Sequence, residues 1–319
     1  MRILSTGSAA PANVVTNEMF ARVVDTNDEW IFSRTGIRSR RVSDGGDTAL
    51  SMALEASEKA IASAGIGRED IALVICATIT GEYVTPSLAC MLQRGLGLPE
   101  NILAFDLNAA CSGFIYALGV AEPLIPEGRY ALLLGSEQLS RVTDFSERST
   151  CVLFGDGAGA VIAERPGGSF TFVSGARGDP APLCIGAAPP SPNPFAAPAA
   201  EPPPTYIQMN GQDVFRFAVE VMVKSVREVI ARAGKTTGDI AHVVCHQANR
   251  RIIDNAAARL GIPTERFFIN IETRGNTSAA SVPIALDELN AGGTLKRGDS
   301  VVLAGFGGGL TYGAIYLEW

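Results

Sequence analysis

The sequence is organised around Asp106-Leu-Asn-Ala-Ala-Cys111-Ser-Gly-Phe-Ile-Tyr-Ala117. The run from Ile102 to Leu107 predicts a buried strand, and a helical pattern begins at Ser112. Cys111 is therefore expected on the turn from strand to helix, where unpaired backbone N–H groups favour the thiolate and lower the thiol pKa. Its small neighbours leave room for a substrate carbonyl to approach. The alternative is that Cys111 is one more buried core cysteine.

An internal repeat relates the two halves of the chain. Residues 60–76, AIASAGIGREDIALVIC, align without a gap with residues 229–245, VIARAGKTTGDIAHVVC. Farther on, Leu96-Gly-Leu-Pro-Glu100 resembles Leu260-Gly-Ile-Pro-Thr-Glu265. Counting on from the two glutamates, at an offset of 165 (265 − 100), places Asn276 opposite Cys111. Glycine-rich turns that begin at Gly155 and Gly305 precede the last predicted strand of each half, which indicates two related supersecondary units.

The repeat predicts the fold class and the division of the chain. Each half alternates strands and helices, so we expect an α/β fold of two pseudo-symmetric βαβα halves in a layered α/β/α/β/α arrangement. Residues 1–177 would form the half with the nucleophile, and residues 206–319 the half with its polar partners. Between them, residues 178–205 hold 10 of the 18 prolines, which excludes a helix or a central strand. This segment is expected to connect the two halves. It could also form part of the rim of a site.

Composition excludes several function classes. The net charge of −7 argues against binding nucleic acid, and no apolar run approaches the roughly 18 residues of a membrane span. The N-terminal residues Met1-Arg-Ile-Leu-Ser-Thr-Gly resemble a short strand, not a signal peptide. The six cysteines lack the spacing of metal ligands, and most lie in apolar runs. We therefore expect a cytoplasmic enzyme without a metal site.

The second half supplies candidate partners for Cys111. His242 falls inside a predicted strand and is interpreted as structural, whereas His246 follows the end of that strand, where α/β folds place chemistry. Asn276 lies in Arg274-Gly-Asn-Thr-Ser-Ala-Ala-Ser281, a second strand-to-helix turn. A lone histidine or asparagine is more often structural. Cysteine, histidine and asparagine in one cleft, however, would form a nucleophile with polar support.

One further stretch has a composition suited to a nucleotide. Trp30 is one of two tryptophans and lies one helical turn before Arg34, within Asp25-Thr-Asn-Asp-Glu-Trp-Ile-Phe-Ser-Arg34. An indole beside a guanidinium suits an aromatic base with phosphates next to it. A capped helix followed by a solvated basic turn explains the same residues equally well.

Taken together, the motifs resemble those of the β-ketoacyl-acyl carrier protein synthase III (KAS III) family, in the thiolase superfamily. The resemblance covers essentially the whole chain, through DEWIFSRTGI, DLNAACSGF, FGDGAGAV, CHQANRRI, RGNTSAAS and GFGGGLTYG. It implies that Cys111 takes an acyl group from acyl-CoA and that the acyl-enzyme condenses with malonyl-acyl carrier protein, which initiates fatty acid synthesis. It also implies a homodimer in which the strand before Cys111 pairs across the dimer axis. No metal or organic cofactor is implied.

The resemblance assigns roles to individual residues. The amides of Cys111 and Gly308 would form the oxyanion hole, while His246 and Asn276 would donate to the enolate oxygen. In CoA binding, Trp30 and Arg148 would sandwich the adenine, and Arg34 would contact the phosphates. The pantetheine channel would be lined by Gly211, Phe215, Ala248, Asn249 and Phe306. The acidic carrier protein would dock on a local basic face made of Arg216, Arg251 and Arg259.

The acyl pocket is expected to depend on Thr85, in Thr80-Gly-Glu-Tyr-Val-Thr-Pro86. This position resembles the one at which the family's dimer partner caps the pocket. A large aromatic residue there leaves room only for an acetyl-sized group, so Thr85 predicts a deeper pocket, unless Tyr83 or Leu88 fills the same space.

Other functions remain open from the sequence. A condensing or acyl-transferring enzyme of secondary metabolism, of the polyketide or quinolone type, would keep the same three residues and change its substrates. Thiolases use a second cysteine, whereas the symmetric position here is assigned to Asn276. A papain-like hydrolase also uses cysteine, histidine and asparagine, but the internal repeat and the Trp30–Arg34 unit count against it. A non-catalytic scaffold is disfavoured because all three site residues are present.

Overall fold

The computed structural model describes residues 1–165, 168–186, 194–195 and 204–319. The strands in this part of the chain are β1 Arg2–Ala9, β2 Val14–Thr16, β3 Ser39–Arg41, β4 Ile71–Ala77, β5 Leu103–Leu107, β6 Tyr130–Glu137, β7 Gly157–Glu164, β8 Phe170–Asp179, β9 Leu183–Cys184, β10 Gln208–Met209, β11 His242–Cys245, β12 Ser300–Gly307 and β13 Gly309–Glu318. The helices are α1 Asn17–Phe20, α2 Asp28–Thr35, α3 Ala49–Ala64, α4 Leu88–Gly95, α5 Gly113–Leu124, α6 Arg148–Cys151, α7 Gly211–Arg232, α8 Arg250–Leu260, α9 Ile271–Arg274 and α10 Ser281–Ala291.

Two sheets with matching strand order form the frame. The first has the order β1-β7-β6-β4-β5, and the second has the order β8-β13-β12-β11. In both, a parallel pair is followed by an antiparallel pair, β4–β6–β7 in the first and β11–β12–β13 in the second. The counterpart of β5 is reduced to an isolated bridge between Val243 and Phe267. The internal repeat therefore folds as two pseudo-symmetric units, as the sequence predicts.

The division between the halves differs from the predicted one. The strand β8 pairs antiparallel with β13, so it belongs to the second sheet, and the expected boundary at residue 177 falls inside it. By sheet membership the second half begins at β8, after β7 ends at Glu164. The aligned repeat starts only at the helix that precedes β4, so it carried no information about this first strand. Of the proline-rich connection, residues 187–193 and 196–203 lie outside the described residues, and Leu183–Cys184 pairs with β10.

Five layers stack around three apolar cores. On the outer face of the first sheet lie α3 and α4, which bury Met52, Ala56, Leu92 and their neighbours. Between the sheets lie α5 and α10, whose Phe114, Ile115, Val282 and Leu286 pack with strand residues of both halves. On the outer face of the second sheet lie α7 and α8, with Met222, Val226 and Ile253. The layered α/β/α/β/α arrangement is confirmed. No helix in the described ranges is both long enough and apolar enough to cross a membrane.

The strand before Cys111 is less buried than its sequence predicts. In β5 every residue is at least partly exposed, and Leu103 keeps 50% of its accessible surface. The reason is topological, because β5 lies at the end of its sheet and, within the described part of the chain, pairs only with β4. An apolar strand with one unpaired edge is a surface on which another strand can pair.

Candidate active site

A large cavity of about 2130 Å³ lies between the two halves. It contains side chains that are distant in sequence, since Cys111 comes from the first half whereas His246 and Asn276 come from the second. The glycine run at the end of β12 and the start of β13 also lines it. The structure thus brings together the three residues that the sequence singled out.

Cys111 lies on the short 3-10 turn Ala110–Ser112, between β5 and α5. The side-chain oxygen of Asn108 accepts a hydrogen bond from the Ala110 amide at 3.3 Å, and Ala110 has a φ of 45°. On the other side the chain of the second half approaches very closely, because a Cβ on Gly307 would lie 2.5 Å from the Cys111 nitrogen. Only glycine fits at that position.

A hydroxyl pair fastens this turn to the glycine run. The Thr311 hydroxyl lies 3.0 Å from the carbonyl oxygen of Ala109 and 3.1 Å from that of Gly308. Ser112 Oγ lies 2.8 Å from Thr311 Oγ1. Sequence reasoning missed these two residues, although both lie within the motifs DLNAACSGF and GFGGGLTYG.

The expected lowering of the Cys111 pKa is wrong for this structure. Burial raises the pKa of the thiol to about 12, and the negative charge of Glu137 adds to the rise. The nearby Ser278 hydroxyl lowers the pKa but does not compensate. The sequence argument counted the N–H groups of the turn and omitted the cost of forming a charge where protein atoms exclude much of the solvent. The resting residue is therefore a neutral thiol that must lose its proton when it reacts.

The pseudo-symmetric partner of Cys111 is Ala279, not Asn276. The turn Ser278–Ala280 and helix α10 follow Asn276 as the turn Ala110–Ser112 and helix α5 follow Asn108. Ala110 and Ser278 have matching φ values of 45° and 48°, so the structural offset is 168 (278 − 110), three more than the offset counted from the two glutamates. The added residues lie between those glutamates and the turns. A second cysteine, as in thiolases, is still absent at the symmetric position.

Asn276 presents a hydrogen-bond donor to the cavity. Its Oδ1 accepts the backbone N–H of Ser278 at 2.9 Å, which fixes the orientation of the amide and leaves Nδ2 to donate. Its backbone is held on both sides, by a hydrogen bond from its N–H to the Leu153 carbonyl and one from the Gly155 N–H to its own carbonyl. The side chain is therefore preorganised.

His246 is a buried, neutral imidazole. Burial lowers its pKa to about 3, and the residue keeps 1% of its accessible surface. Its Nδ1 lies 2.6 Å from the Ser281 hydroxyl, which also lies 3.4 Å from the Gln247 amide. Because the Gln247 backbone amide donates to the Ser281 oxygen, we assign the Ser281 hydroxyl as the donor to Nδ1. The ring proton of His246 is then on Nε2. The ring packs edge-on against Phe306, with centroids 5.1 Å apart.

Trp30 and two arginines lie at another part of the cavity. The guanidinium carbons of Arg34 and Arg148 lie 4.9 and 4.7 Å from the Trp30 ring centroid. Trp30 and Arg34 line the cavity, but Arg148 does not, because it stacks on the indole and donates to the Asp25 carbonyl at 3.0 Å. An aromatic base between Trp30 and Arg148 would have to displace this guanidinium.

The residues expected along the pantetheine channel also line the cavity, namely Gly211, Phe215, Ala248, Asn249 and Phe306. Asn249 connects the two halves here, since its Nδ2 donates to the Arg34 carbonyl at 2.9 Å while its Oδ1 accepts the first-turn amide of Arg251. The wall formed by α8 is thus tied to α2.

The expected basic face lies where the cavity meets the surface. Arg216, Arg251 and Arg259 all line the cavity, and the Arg251 guanidinium lies 5.5 Å from the Phe215 ring centroid. Lys224 and Arg227 of α7 lie in a shallow groove with Arg259 and with two glutamates, so a lysine that sequence reasoning missed lies beside the three arginines. Their spacing of three residues on an amphipathic helix was the available signal.

Thr85 lies outside the cavity of its own chain. It belongs to the exposed stretch of residues 83–86, in which Tyr83 keeps 60% of its accessible surface. Leu88 is buried in the core under α4 and is not available to fill a neighbouring pocket.

The described residues contain no cluster of three or more histidines, cysteines or acids that would hold a metal ion, and all six cysteines are free thiols.

Comparison with known proteins gives one family. The family model 3-oxoacyl-[acyl-carrier-protein] synthase III matches residues 105–178, and the model of its C-terminal part matches residues 230–319. A β-ketoacyl-[acyl-carrier-protein] synthase III from Clostridium acetobutylicum is 46% identical over 100% of this chain and 98% of its own length. One from Acholeplasma laidlawii is 44% identical over 100% and 98%.

The solved structures agree. The β-ketoacyl-[acyl carrier protein] synthase III from Thermus thermophilus superposes with a TM-score of 0.92 at 41% identity, covering 100% of this chain and 99% of that one. The layered arrangement described above is therefore the thiolase-like fold. With this fold and 46% identity over its full length, the chain belongs to the 3-oxoacyl-[acyl-carrier-protein] synthase III family.

Proposed function

We propose that the protein condenses an acyl-CoA primer with malonyl-acyl carrier protein and so initiates fatty acid synthesis. One observation carries the proposal, namely that Cys111, His246 and Asn276 line a single cavity between the halves. Full-length similarity to proteins named β-ketoacyl-acyl carrier protein synthase III favours this reaction over condensation in secondary metabolism, which would use the same three residues.

In the first half-reaction the sulfur of Cys111 attacks the thioester of acyl-CoA. The carbonyl oxygen gains negative charge, which fixed backbone donors stabilise. The amides of Cys111 and Gly308 suit this role because the glycine run passes directly against the Cys111 backbone. The C–S bond of acyl-CoA then breaks, and the acyl group remains on Cys111.

In the second half-reaction malonyl loses CO₂ and its thioester oxygen becomes an enolate. Asn276 Nδ2 and His246 Nε2 donate to that oxygen, and the enolate carbon attacks the acyl group on Cys111. A donor of this kind contributes about 3 kcal/mol to the transition state. His246 stays neutral at physiological pH because burial lowers its pKa to about 3, so its N–H donates without bringing a buried charge. The chemistry uses no metal or organic cofactor.

The substrates would approach through the region lined by Trp30 and Arg34. The adenine of CoA stacks on the Trp30 ring after Arg148 moves aside, and Arg34 pairs with the phosphates. The pantetheine arm passes the side chains of Phe215, Asn249 and their neighbours to reach Cys111.

A homodimer fits the exposed edge of the first sheet. The strand β5 has one unpaired edge and carries Leu103 with 50% of its surface exposed. Pairing of β5 with the same strand of a second copy would cover it.

We place the enzyme in the cytoplasm, where free thiols such as the six found here persist.

Replacing the nucleophile tests the function directly. Cys111→Ala should abolish acyl-enzyme formation, measured by intact-protein mass after exposure to acyl-CoA. Condensation should be lost with it. Cys90→Ala, at an exposed cysteine, should load normally. An acyl adduct that persists on Cys111→Ala would remove the assignment.

The two half-reactions should separate in the donor variants. His246→Ala and Asn276→Ala should slow malonyl decarboxylation by about 10²–10³-fold, because each removes one donor to the enolate. Loading of Cys111 should fall much less. His242→Ala is the matched control, since its ring faces Asp299 at 3.4 Å and does not line the cavity. Equal losses of loading and decarboxylation in Asn276→Ala would contradict this division.

Charge reversal tests carrier protein docking. Arg251→Glu and Arg259→Glu should raise the KM for malonyl-acyl carrier protein and spare the KM for acyl-CoA, with a smaller effect at high salt. Lys296→Glu reverses an exposed charge elsewhere and should change neither value. If the KM values for both substrates rise together, the substitution has damaged the substrate channel or the fold, and carrier protein docking is not what it affects.

The size of the residue at position 85 tests the acyl pocket. We propose that Thr85 caps the pocket of the partner subunit and admits branched or medium-length acyl groups, with each buried methylene contributing about 0.8 kcal/mol. Isobutyryl-CoA and hexanoyl-CoA should load Cys111 at least as well as acetyl-CoA. Thr85→Phe should narrow the range to acetyl, whereas Thr85→Ser should preserve it. Strict acetyl selectivity that Thr85→Phe leaves unchanged would point to another residue, such as the exposed Tyr83.

A further inference from the structure

A buried carboxyl group lies behind the cavity and has no role in the reaction described so far. Glu137 ends β6 and is fully buried without lining the cavity. Its Oε2 accepts hydrogen bonds from Thr80 Oγ1 at 2.6 Å, the Ile79 amide at 3.1 Å and Thr78 Oγ1 at 3.3 Å. Its Oε1 is buried with no hydrogen-bond partner among the described residues. Such a group is rare, because an unpaired buried acceptor is costly.

The second unpaired group is the hydroxyl of Ser278. This oxygen is also buried without a partner in the described part of the chain, although Ser278 itself lines the cavity together with Cys111. The residue is held at a φ of 48° by the hydrogen bond from its N–H to Asn276. A non-glycine residue in this region is strained, and such strain persists where surrounding contacts impose it.

The strand and the turn bring these two groups together. A Cβ on Gly135 would lie 2.3 Å from the Ala279 carbonyl oxygen, so β6 packs directly on the turn Ser278–Ala280. Glu137 is two residues beyond Gly135 and therefore points to the same face of the sheet. No hydrogen bond of normal geometry joins the Ser278 hydroxyl to either group, but it is near enough to lower the pKa of both the Cys111 thiol and the Glu137 carboxyl. The hydroxyl is therefore a neighbour of both groups.

The attacking thiol needs a proton acceptor, and His246 is not available for this. Ser281 occupies its Nδ1. In the tautomer assigned above its Nε2 carries a proton, and the proposed function uses that N–H to donate to the enolate. The carboxyl of Glu137 has suitable acidity, since burial raises its pKa to about 7 against the effect of its hydrogen bonds. The groups that face it are the hydroxyls of Thr78, Thr80 and Ser278 and the thiols of Cys111 and Cys76; farther out, Asp106 and Glu82 act on Cys76.

We propose that Ser278 and Glu137 form a proton relay for Cys111. As the sulfur electron pair forms the bond to the acyl carbon, the thiol proton passes to Ser278 Oγ, and the Ser278 hydroxyl proton passes to Glu137 Oε1. The C–S bond of acyl-CoA breaks, and the CoA thiolate takes a proton from solvent. When condensation breaks the bond between the acyl group and Cys111, the electron pair returns to sulfur, and the proton returns from Glu137 through Ser278.

The acyl steps rest on the proposed function, so the test begins with a reaction that needs no acyl-CoA. Alkylation of Cys111 by iodoacetamide is followed by peptide mass spectrometry as a function of pH. In the unmodified enzyme the rate should rise as Glu137 loses its proton near pH 7, because only the carboxylate accepts the thiol proton. Glu137→Gln should remove this rise and reduce the rate at pH 7.5 by about 10²-fold, the lower range for general base catalysis.

Two further variants complete the experiment. Ser278→Ala leaves the carboxylate in place and should shift the pH profile as Glu137→Gln does. Asp156→Asn is the matched control, because Asp156 is a buried carboxyl whose pKa burial also raises, yet it does not line the cavity. Its profile should match that of the unmodified enzyme, and the melting temperature of each variant is measured alongside.

Acyl loading then gives the second readout. Transfer from acyl-CoA to Cys111 should lose the same pH-dependent rise in Glu137→Gln and Ser278→Ala. An unchanged alkylation profile in either variant, or an equal change in Asp156→Asn, overturns the relay. Failure of the unmodified enzyme to accept any acyl group from CoA would instead overturn the proposed function, and the alkylation profile would still report on the relay.

Discussion

The contact between the turn at Cys111 and the glycine run of β12 constrains the rest of the site. A side chain at Gly307 would lie 2.5 Å from the Cys111 nitrogen, so the two halves approach at the distance of bare backbone. This contact requires β5, α5 and β12 to meet at one point, and the hydroxyls of Ser112 and Thr311 fix their mutual position. The core between the sheets, filled by α5 and α10, provides the rigid support that such a close approach needs.

Pseudo-symmetry provides two copies of one turn, and the protein uses them differently. Asn108 and Asn276 each accept a hydrogen bond from the backbone N–H two residues later, at Ala110 and Ser278, and both of those residues have a positive φ. In the first copy the following residue is Cys111, and in the second it is Ala279. The proposed nucleophile therefore arises from one copy, whereas the proposed donor amide arises from the cap of the other. The two equivalent turns meet at the cavity, and their different side chains bring a thiol and an amide into one site.

The electrostatics of the cavity favour neutral groups. Burial raises the pKa of Cys111 and lowers that of His246, so in both cases the charged form is the one disfavoured. In the proposed reaction the enolate would thus be met by hydrogen-bond donors rather than by a buried cation. Such a site needs fixed donors more than charges, and the two backbone hydrogen bonds of Asn276 and the Ser281 contact of His246 supply that rigidity.

The sequence by itself determined the local features and the repeat. Helix α3 ends before Gly65, Cys111 follows a strand, His246 follows β11, and the two halves fold alike, since all of these depend on short-range patterns and on similarity within the chain. Only the tertiary structure decided that β8 belongs to the second sheet, that β5 is a half-exposed edge, and that the thiol pKa rises. Strand pairing and burial are set by segments far apart in sequence, and a local pattern contains neither the neighbours of a strand nor the solvent around a thiol.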